Sequence, residues 1–172
     1  MWPRLSRVGS PVRTLGAALA VALAAVAFGV APARADGDPA SDILLVDNVF
    51  LTYSVDVSPE AKAALEQAVA KANHTGFRIK VAVVADPADL GAVPSLFGKP
   101  QIYAKFLGTE ISFQYTNRLL VVMPSGYGFW RERKPIVREK RILGALKVKP
   151  GGDGLAYSAV SALKALSKPR KE

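Results

Sequence analysis

The apolar positions of this chain fall into runs of different period, and the periods predict its elements. Leu15 to Val30 is an almost unbroken apolar stretch. Ile43 to Val46 and Val49 to Tyr53 are short apolar runs on either side of Asp47-Asn48, predicting an extended segment bent at that pair. Ser58-Pro59-Glu60 then opens a helix. Serine is a good N-cap, proline suits the first helical position and glutamate complements the dipole. Ala61, Ala64, Leu65, Ala68, Val69 and Ala72 give that helix one apolar face as far as about Asn73, and Gly76 is its stop. Phe77 to Ala85 is the clearest strand, one-sided in its first half, where Arg78 and Lys80 alternate with apolar residues, and apolar on both sides in its second.

Beyond a Gly/Pro-rich connection from Asp86 to Pro100, Gln101 to Phe113 has a helical pattern with Ile102, Tyr103, Phe106, Leu107 and Ile111 facing inward. Leu119 to Met123 is a second buried strand, closed by the turn Pro124-Ser125-Gly126, and the pattern from Tyr127 to Lys149 selects no element. Gly151-Gly152-Asp153-Gly154 marks a loop before a last helix, Leu155 to Leu166, burying Leu155, Ala159, Val160, Leu163 and Leu166. Strands buried on both faces need helices above and below. The expected fold is an α/β three-layer sandwich with a mostly parallel central sheet flanked by helices, joined by right-handed crossovers.

The first apolar run changes the compartment. Arg4, Arg7 and Arg13 precede it and Ala33-Arg34-Ala35 follows, the layout of an export leader over residues 1–35 cleaved before Asp36. At about 16 residues and rich in alanine, the run falls below the roughly 20 of a spanning helix. An uncleaved anchor is the alternative. The expected product is secreted or extracytoplasmic and can associate with the outer face of the membrane. Residues 36–41 are expected to be a flexible start, 42–166 a single domain and 167–172 a basic tail.

Composition then removes several kinds of chemistry. Without cysteine there is no disulfide framework, thiolate metal site or thiol nucleophile, and the one histidine, His74, leaves no His-pair metal site. The leader holds four of the 23 basic residues and none of the 14 acidic ones, so the formal charge falls from +9 to +5 beyond it. Ser125 follows a buried strand as a hydrolase nucleophile does, but it lacks the Gly-x-Ser-x-Gly frame and reads as a turn residue.

The Ala-rich helix opened by Val57-Ser58-Pro59-Glu60, the strand Phe77 to Ala85, Tyr103-Ala104 on the next helix and the apolar Leu119-Leu120-Val121-Val122 together resemble the TPM domain, over roughly residues 42–166. The resemblance implies an exported or envelope-associated α/β domain, often tethered to a membrane. Some members are described as phosphatases, some as metal-binding and some as accessory factors of membrane complexes. This chain departs from the pattern at Asn117-Arg118, where such domains often carry an acidic residue before the third strand.

Two candidate sites follow. In open parallel sheets ligands collect beyond the carboxyl ends of the strands. Asp86 and Asp89 follow the second strand there, and Asp47, placed after the first extended segment, would complete an oxygen-rich site for Ca2+ or Mg2+ serving a phosphatase or hydrolase. The plainer role of Asp86 and Asp89 is turn formation. The second candidate is Trp130 with Arg131, Arg133, Lys134, Arg138, Lys140 and Arg141, in a segment whose local excess of six positive charges exceeds that of the whole exported part. It suits an envelope protein or an anionic lipid surface, or it is the solvated side of an ordinary element. Export argues against nucleic acid. The preferred expectation is a noncatalytic module that binds an envelope partner or an anionic membrane surface.

Overall fold

The structure, a computed structural model, describes residues 37–168. Helix α1 spans Pro39–Val46, strand β1 Val49–Leu51, helix α2 Pro59–His74 and strand β2 Ile79–Val83. Two 3-10 turns, Pro87–Leu90 and Pro94–Leu96, lead to helix α3, Pro100–Glu110. Strands β3, Arg118–Met123, and β4, Gly126–Arg131, form a hairpin, and helices α4, Val137–Gly144, and α5, Gly151–Leu166, complete the domain.

The sheet order is β1-β2-β3-β4, parallel except for the β3–β4 pair. The expected three-layer α/β architecture is therefore present. Ile79, Val81, Val83, Leu120, Val122 and Phe129 point to one face, where α2, α4 and α5 cover them. Phe50, Ala82, Val84, Leu119, Val121 and Met123 point to the other, beneath α1 and α3. Each step from β1 to β2 to β3 carries the chain the same way across the sheet, but the first crossover lies on one face and the second on the opposite face. The two connections therefore have opposite hands, which corrects the expectation of uniformly right-handed crossovers. Strands buried on both sides need cover on both, and the successive crossovers share that task.

Several elements form as their local chemistry dictates. The Ser58 hydroxyl accepts from the Ala61 N–H at 3.2 Å, so α2 starts where its cap predicts. At its end the Phe77 N–H donates to the Ala72 carbonyl and the Gly76 N–H to that of Asn73, a Schellman closure requiring the positive φ of +84° that Gly76 adopts. The five residues of β2 are all buried, including Lys80, which the alternation had placed on a polar face.

Elsewhere the chain differs from its pattern. Ile43 to Val46 is helical, and α1 already starts at Pro39, inside the stretch expected to be a flexible lead-in. Asp38 caps this helix by accepting from the Ala40 N–H at 3.1 Å. A four-residue apolar run has no readable period, so only packing distinguishes helix from strand. Ile102 is 56 % exposed, whereas Tyr103, Ala104, Leu107 and Ile111 are buried. The unassigned stretch after Gly126 supplies both β4 and α4. Gly151 to Gly154 forms the first turn of α5, because a Cβ at Gly152 would lie 2.1 Å from the Asp56 carbonyl oxygen. The missing side chains admit a close approach, and there the Asp153 carboxylate accepts from the Ser58 N–H at 2.7 Å, joining the starts of α2 and α5.

Candidate functional site

The chain leaves β1 toward the α2 face and leaves β2 toward the α3 face, so the carboxyl ends of these neighbours form the crevice where ligands collect in open α/β sheets. The crevice is filled by the protein itself. Asp89 is 0 % exposed, and one of its carboxylate oxygens accepts from the N–H groups of Tyr53 and Ser54, both at 3.3 Å, and from the Ser54 hydroxyl at 2.7 Å. The other accepts from the N–H groups of Ala85 at 2.8 Å and Asp86 at 3.1 Å. Burial alone would raise the Asp89 carboxyl. The hydroxyls of Thr52 and Ser54 and the N–H groups of Ala85 and Asp86 outweigh it and hold the group below its ordinary value.

The structure separates the three aspartates proposed for a cation and gives Asp86 and Asp89 hydrogen-bonding roles. A carboxylate offers about four lone-pair positions, and five donors already occupy those of Asp89. Asp86 spends its carboxylate on the Ala88 N–H at 2.9 Å, capping the first 3-10 turn. Asp47 is at the opposite end of the sheet, because the segment before it is the helix α1 and it precedes β1. Among the described residues no group of three or more His, Cys, Asp or Glu side chains converges as metal ligands do. The capping chemistry that made Asp86 and Asp89 conspicuous is the chemistry they perform.

A second carboxylate near this end escaped the sequence reading. Asp38 is 5 % exposed and accepts from the Tyr103 hydroxyl, 2.8 Å from both carboxylate oxygens. Burial raises its pKa to about 6, against the lowering effect of the Tyr103 and Ala40 bonds. Burial and the adjacent Asp38 in turn push the Tyr103 phenol up. Asp38-Pro39 is the same cap-and-proline signal as Ser58-Pro59, and it was hidden by the polar, glycine-containing stretch around it.

The basic segment divides among three elements. Trp130 is half-buried and packs on α3: a Cβ at Gly108 would lie 2.2 Å from the indole. Packing on α3 therefore accounts for the buried part of the ring, a role the sequence did not assign it. Half-buried Arg131 stands opposite Arg118 in the β3–β4 register, and the Arg118 guanidinium lies 4.2 Å from the centre of the Phe77 ring. Arg138 donates to the Leu166 carbonyl at 3.5 Å and the Lys168 carbonyl at 3.0 Å, closing the carboxyl end of α5. Arg133 pairs with Glu132 at 3.6 Å while remaining largely in solvent. Lys134, Lys140 and Arg141 are exposed, and among the described residues none of the three forms a salt bridge. Helix α4 turns Leu143 inward with Ile142, Ile136 and Leu146 beside it, so Lys140 and Arg141 form its outer side next to Val137, which is 67 % exposed.

Comparison of the chain with protein-family models, curated proteins and solved structures finds no match.

Proposed function

We propose that this domain is a noncatalytic, extracytoplasmic module that docks on an anionic membrane surface through the outer side of α4. The observation that carries the reading is the exposed Lys140 and Arg141 beside exposed Val137 on an amphipathic helix whose other side is anchored in the core, with Arg133 and Lys134 exposed in the turn that leads into it. The export leader read at residues 1–35, which lies outside the described residues, and the TPM resemblance favour the same setting. Among the described residues no helix is long and apolar enough to cross a membrane, so this domain would act at the surface.

Magnitudes describe the kind of contact. Each cation near an anionic headgroup layer contributes about 1 kcal/mol, so Lys134, Lys140 and Arg141, which have no salt bridge among the described residues, give about 3 kcal/mol, a dissociation constant of several millimolar. Such docking is reversible, screened by salt and suited to a protein held nearby by a second attachment. Co-sedimentation with vesicles tests it. Binding to phosphatidylglycerol-containing vesicles at low salt is expected, with loss at high salt, on neutral vesicles and in the Lys140→Glu, Arg141→Glu double variant. Equal binding to neutral and anionic vesicles, or none at low salt, overturns the reading.

A further inference from the structure

A cavity of about 420 Å³ lies at the amino end of the parallel strands, the opposite end from the Asp89 crevice. Its polar lining is Asn48, Asn73, Arg78, Lys80, Gln114 and Tyr115, with Leu44 and Leu45 of α1 as its apolar wall. Among the described residues its lining includes no acidic side chain, and the carboxylate acting on Lys80 is that of Asp47, outside the lining.

The donors are held by the fold. Lys80 is 7 % exposed and reaches from β2 beneath the end of α1, where its ammonium donates to the carbonyls of Leu44 at 2.5 Å and Asp47 at 2.6 Å. An ammonium has three N–H donors, so one remains beyond those two carbonyls. The same group lies 5.2 Å from the centre of the Tyr115 ring, which forms another part of the lining. The Asn73 side-chain oxygen accepts from the Ile79 N–H at 2.7 Å, which fixes the amide orientation and leaves its NH2 group free to donate. Arg78 is exposed, and among the described residues the salt bridges are Lys62–Glu66 and Arg133–Glu132, so its guanidinium has no carboxylate partner there.

Two cations, at least one oriented amide and no lining carboxylate make a receptor for negative charge. Closing the end of α1 accounts for two donors of Lys80, but not for Arg78 or the amides beside it. Guanidinium and ammonium groups meeting one ligand give short, charge-assisted bonds to carboxylate or phosphate oxygens. The cavity is also larger than one such group needs, and Leu45 and the Tyr115 ring offer apolar surface to whatever carries it.

We propose that this cavity binds a small oxyanion-bearing molecule, its phosphate or carboxylate group held between Lys80 and Arg78 and its organic part against Leu45 and Tyr115. The site is independent of the α4 ridge. An NMR titration of the protein, following backbone and side-chain amides, tests it with inorganic phosphate, glycerol 1-phosphate as a headgroup-like monoester, and succinate. Saturable shifts are expected at Asn48, Asn73, Arg78, Lys80 and Gln114. Tighter binding of glycerol 1-phosphate than of phosphate supports a phosphomonoester or headgroup ligand, tightest binding of succinate supports a carboxylate, and tightest binding of inorganic phosphate, which has no organic part, would overturn the placement against Leu45 and Tyr115.

Arg78→Gln is the decisive variant, because Arg78 is exposed and its loss spares the core. It should weaken binding of the preferred probe at least about tenfold with an unchanged thermal midpoint, and Arg78→Lys should recover part of the loss. Lys80→Met should lose binding as well, with a lowered midpoint because the end of α1 is left open. No saturable shift with any probe, shifts confined to α4, or unchanged affinity in a folded Arg78→Gln protein would each overturn the proposal.

Discussion

Asp38 is buried where burial opposes its charge, and this ties stability to pH. Its carboxyl is raised to about 6 in the folded chain, so between about pH 4 and pH 6 the folded state holds a proton that the unfolded state has released. The stabilisation from this group is complete below about pH 4 and is lost as pH rises through about 6, a change on the order of 2–3 kcal/mol. Asparagine also caps helices and accepts from a phenol. Asp38→Asn is therefore expected to flatten this part of the pH–stability curve and to equal or exceed the parent at pH 7.5, measured by urea denaturation across the range. A variant with the parent's slope between pH 4 and 6 would show that another group titrates there. Asp89 has the opposite sign: five donors favour its ionised form, so its contribution is present above the ordinary carboxyl range and is lost on acidification. Both residues are acids on short polar stretches. One-dimensional spacing does not tell a carboxylate surrounded by N–H groups from one open to a cation, because the donors of Tyr53 and Ser54 arrive from the bend after β1.

At the scale of elements, close approach decides where the layers sit. Gly108 is buried within α3, and the indole of Trp130 occupies the space a side chain would take, its ring carbon Cδ2 being 2.2 Å from a Cβ built there. Gly108→Ala should cost about 1–3 kcal/mol through overpacking, despite alanine's better helix propensity. Thermal melts give the cost, and tryptophan emission should shift to longer wavelength as the indole is displaced. An unchanged or higher midpoint would mean that α3 and β4 separate without cost. The strand β2, the caps of α2 and the inner face of α5 were legible because each is a local signal: a run of apolar residues, a Ser-Pro pair, a repeat at helical spacing. The first turn of α5 was not, because Gly151 to Gly154 reads locally as a break and forms helix against the segment at Asp56 and Val57. For the same reason, β4 becomes legible only once β3 is available to pair with it.

Across the whole molecule, α1 closes the sheet. Its Ala40 and Leu44 are fully buried in the layer that holds Phe50 and Leu90, and its last carbonyls receive the Lys80 ammonium. A chain beginning at Asn48 should lose about 2–4 kcal/mol, because the layer holding Phe50 and Leu90 loses the buried Ala40 and Leu44. The readout is the urea midpoint with a dye for exposed apolar surface, and an unchanged midpoint with no dye binding would show α1 to be dispensable. What the amino-acid sequence determined by itself is the buried strands β2 and β3, the capped start of α2 and the placement of excess positive charge, all of which depend on neighbours a few residues apart. Only the tertiary structure decided that Asp47 lies at the opposite end of the sheet from Asp86 and Asp89, that Trp130 packs inward and that Lys80 and Arg78 border one cavity. Those outcomes depend on which face each crossover takes, and that choice is made by the mutual burial of whole layers.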